Sequence, residues 1–172
     1  ELQRKGYADA FSTPRVLDAI RSGPHQAIAV TLVEWSGPTE QKVVVDWSVI
    51  RDKASGSAFA AALLEAPRSF AAFTSISAAL LFAKVQLDRC PVEAERHVID
   101  VSGDGTNNSG PPITAARDQV VAAGVTINGL AIINLLPNPG YTAHTQPPEG
   151  LAEYYRQNVI GGNLNERASM NC

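Results

Sequence analysis

RHVIDVSGDGTNNSG, from Arg96 to Gly110, is the stretch on which the fold turns. Its first part, His97–Val101 (HVIDV), is a short apolar run with charge before it and glycine after it, the pattern of a central, parallel-type strand. Gly103–Pro112 (GDGTNNSGPP) is a loop by composition. Ile113–Ala123 follows as a helix, ended by Gly124 as a left-handed C-cap, and Val125–Ile133 (VTINGLAII) reads as another buried strand. Upstream, Thr74-Ser75 starts a helix with Ile76, Leu80, Leu81, Ala83 and Leu87 at helical spacing, ending near Cys90-Pro91. Helix, strand, helix, strand with tight loops at the strand ends specifies an α/β domain with parallel strands and right-handed crossovers.

Farther out, Glu1–Phe11 reads as an amphipathic helix, and Ser12-Thr13-Pro14 as a break and a second helix start. Val16, Leu17 and Ile20 give that second helix its apolar face, closed by Ser22-Gly23-Pro24. Gln26–Trp35 is apolar on both faces, which suits a buried strand, and Gly37-Pro38 turns it into Gln41–Trp47 as an antiparallel hairpin. Ser57–Ala66 is an Ala- and Leu-rich helix stopped by Pro67. Leu136–Gly150 is a long proline-bearing connection, Leu151–Asn158 a short helix, and Gly161–Cys172 polar and patternless.

The 172 residues are 45% hydrophobic and 18% charged, a globular balance sized for one domain. A net charge of −3 speaks against an electrostatic nucleic-acid or anionic-membrane binder. The longest apolar stretches, Ala58–Leu64 and Ser77–Ala83, fall short of the roughly 18 residues that a membrane span needs. Two cysteines, Cys90 and Cys172, exclude a zinc ribbon and a disulfide-rich scaffold. The start at Glu1, without Met or signal peptide, leads one to expect a fragment.

Ligand sites of open α/β sheets lie beyond the carboxyl ends of the strands, where Asp100–Asn108 falls. Asp104 stands between Gly103 and Gly105, which let the backbone turn tightly and a hard cation or phosphate approach the carboxylate. Ser102, Thr106, Asn107 and Asn108 add neutral oxygens, suited to magnesium or calcium rather than a soft metal. The plainer reading is that Asp-Gly and Asn-Asn only build a turn. Thr74 either caps its helix or turns its hydroxyl oxygen to a metal or anion at the same sheet edge. Asp100, within or at the end of the strand, is costly unless paired, either with loop amides or behind the ligands of a metal.

Other candidates are weaker. His25, His97 and His144 lack metal spacing and read as surface or edge residues. Ser36 and Ser102 lack a G-x-S-x-G elbow, and Cys90 reads as a structural or free thiol. Trp35 and Trp47 are most simply core or sheet-face residues.

VTLVEWSG (Val30–Gly37), FTSISAALLFA (Phe73–Ala83), RHVIDVSGDGTNNSG, AARDQVVAAGVTINGLAI (Ala115–Ile132) and LAEYYRQNVIGG (Leu151–Gly162) occur in this order. Together they resemble an uncharacterised bacterial family of von Willebrand factor A-like (vWA) domains, over residues 1–162, leaving 163–172 as a polar tail. The resemblance implies a vWA/Rossmann-like doubly wound sheet, mostly parallel with one antiparallel hairpin strand, and a metal-ion-dependent adhesion site (MIDAS) at its carboxyl edge. Three loops build that site in vWA domains: D-x-S-x-S after the first strand, a Thr before a middle helix, and an Asp after the following strand. Thr74 matches the second and Asp104 the third, which makes them the implied metal ligands; Asp100, Ser102, Gly103, Gly105, Asn107 and Asn108 shape or back the loop. The first loop and its central strand are expected before Glu1, so the chain is expected to be N-terminally incomplete and its metal binding weak or absent. Asp100-x-Ser102-x-Asp104 imitates the first motif, but Thr74 precedes it and no later Asp loop follows. Ala72 and Phe73 stand where vWA domains often have glycines, and past Gly162 no closing strand and helix are visible.

The resemblance further implies a non-catalytic, adhesion-type protein-binding module. Magnesium, or manganese or calcium, would keep an open position for a carboxylate offered by a protein partner. It implies an exported protein, periplasmic or secreted, where a Cys90–Cys172 disulfide is conceivable although spacing alone does not support it. The alternative is an enzyme, because Gly103-Asp104-Gly105-x-Asn107-Asn108 resembles the G-D-G-x-N-D magnesium loop of haloacid-dehalogenase-like phosphatases. Asn108 there replaces the second acid, the D-x-D nucleophile motif is not in the chain, and Lys84, the nearest phosphate-binding candidate, falls in a helix pattern. A vWA relative that has lost its metal is the third possibility.

Overall fold

A computed structural model describes residues 2–67, 73–133 and 145–162. These residues form a mixed α/β protein with one antiparallel and one parallel pair of strands. They fall into two compact units, one drawn from residues 1–35, 41–71 and 90–93, the other from residues 36–40, 72–89 and 94–172.

The first unit holds α1 (Leu2–Phe11), α2 (Pro14–Ser22), β1 (Ile28–Trp35), β2 (Gln41–Ile50) and α3 (Lys53–Glu65). The expected break between the first two helices is a cap: Thr13 Oγ1 accepts from Val16 N at 3.4 Å, and Pro14 takes the first turn, where its missing N–H costs nothing. β1 and β2 pair antiparallel from Ile28↔Ile50 to Trp35↔Gln41, the expected hairpin. α3 starts at Lys53, four residues ahead of the Ser57 start read from composition. Asp52 and Ser55 form a reciprocal capping box there, and Gly56 in the first turn conceals it. That glycine serves packing, since a Cβ would lie 2.6 Å from the Phe11 carbonyl oxygen.

The core of this unit is Ala8, Leu17, Ile20, Val45, Ile50, Phe59, Ala60 and Leu63, with the rings of Phe11 and Phe59 edge to face at 5.0 Å. Arg4 Nε donates to Glu34 Oε1 at 2.8 Å, and the same guanidinium reaches the carbonyls of Ala66 and Pro67, tying α1 to β1 and to the end of α3. β1 departs from its expected full burial. Its residues are half-buried and Ile28 is exposed, because among the described residues the core receives β1 only through Val30 and Leu32.

The second unit holds α4 (Ile76–Asp88), β3 (His97–Gly103), α5 (Ile113–Ala122), β4 (Val125–Ala131) and α6 (Leu151–Asn158). β3 and β4 pair parallel in unbroken register, His97↔Val125 through Gly103↔Ala131. Ile99, Val101, Val125 and Ile127 are buried with Leu80 of α4, Val120 of α5 and Tyr155 of α6. Val98, Asp100 and Ser102 alternate to the other face beside Thr126, Asn128 and Leu130, and Leu130 is 56% exposed. The expectation of a strand buried throughout Val125–Ile133 is therefore corrected: β4 is buried on one face, and Ile133 beyond its end is exposed. Gly124 holds φ +81° after α5, the left-handed cap expected of it. Ile127 exchanges two backbone hydrogen bonds with Gly161 at 2.8 and 3.2 Å, a bridge within a segment expected to lack pattern.

Among the described residues no helix is long and apolar enough to cross a membrane. Cys90 is half-buried just past α4. Cys172, His144, Ala72, the tail 163–172 and most of the proline-bearing connection lie outside the described residues.

Candidate functional site

The site lies in the second unit, where the segment 73–75 and the loop after β3 meet. Ser36 positions the first of these. It is buried; its hydroxyl donates to Phe73 O at 2.9 Å and accepts from Phe73 N at 3.2 Å, and its carbonyl accepts from Ser75 N at 2.7 Å. Thr74 is thereby fixed two residues ahead of α4, just before its cap. The cap is Ser75, whose hydroxyl accepts from Ala78 N at 3.4 Å, so the capping reading of Thr74 is replaced by its neighbour.

The loop after β3 joins this segment through both asparagines. Thr74 N donates to Asn108 Oδ1 at 3.0 Å, and Asn108 N returns a bond to Thr74 O at 2.9 Å. Asn107 Oδ1 accepts from Ser77 N at 3.0 Å, satisfying a first-turn amide of α4 that has no partner within the helix. Asn107 N donates to the hydroxyl of Tyr154 on α6 at 3.1 Å. Both asparagine oxygens, read from sequence as neutral oxygens for a cation, are thus engaged with backbone amides. Ser75 and Ser77 are fully buried with hydroxyls 3.5 Å apart. Gly110, at φ +84°, passes so close that a Cβ would lie 2.3 Å from Ser75 Oγ.

Asp104 is the first residue beyond β3 and is exposed, between buried Gly103 and Gly105. Ser102 is half-buried opposite Leu130. Asp100 finds its partner across the ladder: Asn128 Nδ2 donates to its Oδ1 at 2.8 Å. Asp100 lies three residues, about 10 Å, before the carboxyl end of β3, on the exposed face. Thr74, Asp104, Asn107 and Asn108 therefore belong to the loop cluster, whereas Asp100 is a cross-strand residue.

Tyr155 is the residue that sequence reading missed most completely. It is 1% exposed, and its hydroxyl has no hydrogen-bond partner among the described residues. Burial pushes its pKa well above the ordinary tyrosine range, and the charges of Asp104 and of Tyr154 add to the shift. Tyr154, bonded to Asn107, is raised by burial to a lesser degree.

Among the described residues no three His, Cys, Asp or Glu gather as a metal group. The chain's own hard oxygens toward a divalent ion are the Asp104 carboxylate and the Thr74 hydroxyl, which fit such an ion in kind. The Tyr155 hydroxyl, buried and without a hydrogen-bond partner among the described residues, is a polar surplus in the same unit.

An α/β unit with a parallel strand pair and a polar loop cluster at its carboxyl end is the class of protein these features define. The chain belongs to DUF1194, a family of proteins of unknown function, whose model matches residues 1–165. No curated protein and no solved structure matches the chain.

Proposed function

We propose that this protein is a non-catalytic, adhesion-type binding module, built on a vWA-like doubly wound sheet, that engages a protein partner through a divalent ion. Thr74 and Asp104 supply oxygen ligands to magnesium or a similar ion. The ion supplies a Lewis-acidic position for a carboxylate of the partner. The observation that supports this reading is the reciprocal pair between Thr74 and Asn108, which fastens the two candidate ligand segments to each other. Phe73, beside Thr74 and 62% exposed, offers an apolar contact next to the charged one, as interface anchors do. The family resemblance carries with it an exported, periplasmic or secreted, location.

The phosphatase alternative has less support. Lys84 sits eight residues into α4, about 12 Å along its axis from Ile76, and pairs with Asp88 at 2.6 Å. The test is calorimetric titration with manganese. Saturable uptake that Asp104→Ala abolishes is the expected result; no uptake, or uptake unchanged by the substitution, sinks the reading.

A further inference from the structure

Arg21, in the last turn of α2, and Arg51, between β2 and α3, bring two guanidiniums to one cavity of the first unit. His25, Gln26, Ala27 and Asp52 complete its lining, and its volume is about 550 Å³. Small-molecule sites run from roughly 300 to 1,000 Å³, so there is room for more than a bare ion. Arg21 Nε donates to Arg51 O at 3.3 Å, which ties the first guanidinium to the backbone that carries the second. Like charges brought to one cavity repel, and the carboxylate in the lining is committed elsewhere. Asp52 Oδ1 accepts from Ser55 N at 2.8 Å and from Ser55 Oγ at 2.7 Å, as the cap of α3. Neither arginine is in a salt bridge among the described residues. The lining therefore keeps an excess of positive charge in a chain whose net charge is −3.

Gln26 adds a second, independent sign. Its φ is +50°, in the left-handed region that glycine enters freely and other residues rarely. Among the described residues no other non-glycine residue is held so. Its N–H donates to Gly23 O at 3.1 Å, closing the turn that Pro24 begins. A glycine here would relieve the strain but would remove an amide side chain from the cavity wall, and strain of this kind collects at ligand sites. We propose that the cavity binds a small organic dianion, a dicarboxylate or a phosphate monoester, whose oxygens accept from the guanidiniums of Arg21 and Arg51 and from the side-chain amide of Gln26. The proposal is independent of the metal-dependent reading, since no residue of the loop cluster lines the cavity. The simpler role, an exposed basic surface, predicts only weak attraction that any nearby cation supplies equally.

Titration of the full chain with succinate and with glycerol 3-phosphate, at physiological ionic strength, separates the two. The readouts are calorimetry and the backbone amide spectrum. The expected result is saturable binding of at least one probe, with shifts gathered on the amides of residues 23–27 and 51–55. Arg51→Gln should weaken that binding about tenfold or more, and it keeps the carbonyl that accepts from Arg21. Arg15→Gln removes the same charge about 9 Å earlier along α2 and should leave binding unchanged. Gln26→Gly should weaken binding while preserving or raising the thermal midpoint, a combination that a residue serving only the turn does not give. Succinate alone identifies a dicarboxylate site, and glycerol 3-phosphate alone a phosphate-ester site. Saturation by neither probe overturns the proposal, and so does an equal loss in Arg15→Gln and Arg51→Gln.

Discussion

Gly110 shows how one residue is fixed by the site rather than by its own loop. It holds φ +84° and leaves 2.3 Å between a would-be Cβ and Ser75 Oγ, whereas Gly124 holds a similar φ of +81° with open space around it. Gly124→Ala should cost about 1 kcal/mol, the left-handed penalty alone. Gly110→Ala should cost at least about 2 kcal/mol, because the clash adds to that penalty, and it should perturb the amides of Thr74 and Ser77. Urea unfolding and amide spectra check both. Tyr155 gives a pH prediction. Its proton is held more tightly in the folded state, so the contribution is complete below the ordinary phenol value of 10.0 and is lost as pH rises above it. Above about pH 10 the parent protein should lose stability more steeply than Tyr155→Phe, as read by unfolding at successive pH values. Thr74 and Asp104 could be picked out in the sequence as oxygen side chains next to a helix start and a strand end, and the structure places them there. Ser36 and Gly110 could not: each acts on residues 35 or more positions away, and nothing in local composition marks those pairings.

The start of α4 is built by three parts of the chain. Ser75 supplies the cap, Asn107 accepts from Ser77 N, and Ser36 accepts from the amide just before the helix. Asn107→Ala should destabilise the protein by about 1 kcal/mol or slightly more, since a first-turn amide loses its acceptor. Asn107→Asp keeps that acceptor and places negative charge at a helix N-terminus, and its unfolding midpoint should stay near that of the parent. An aspartate as damaging as the alanine would mean that the Asn107 side-chain amine, 3.4 Å from Pro111 O, matters more than its oxygen. On α6, Arg156 and Gln157 donate to Glu153 and hold its carboxyl down to about 2 from 4.5. Its contribution is present above pH 4.5 and is lost as pH falls toward 2, so Glu153→Gln should flatten that part of the acid-stability profile. The effect should be small and should fade with salt, because the pair is solvent-exposed. Elements of this kind were largely readable: Thr13-Pro14, Gly124 and Leu151–Asn158 start and stop helices where local chemistry says they should. The α3 start was not, because the capping box at Asp52 is followed by a glycine that weakens the helical pattern.

For the molecule as a whole, sequence and structure differ over faces. HVIDV and VTINGLAII are apolar enough to be covered on both sides, yet Leu130 is 56% and Ile133 58% exposed, and Ile28 on β1 is exposed as well. Apolar residues at such positions are what a doubly wound sheet buries under its second helical layer. Among the described residues β1 pairs only with β2 and β3 only with β4. The proposed sheet requires one cooperative unit, and the chain's chromophores allow that to be read. Both tryptophans, Trp35 and Trp47, lie on the hairpin of the first unit, while the amides of Ile127 and Val120 report the second. Tryptophan fluorescence and the exchange of those amides should give one unfolding midpoint, and the β3 amides not turned to β4 should be protected as strongly as those that are. Two separated midpoints, with the outer β3 amides exchanging freely, would refute the doubly wound sheet. Such a result would leave the Thr74–Asn108 pair intact as local structure, but it would remove the continuous sheet on which the proposed binding site depends.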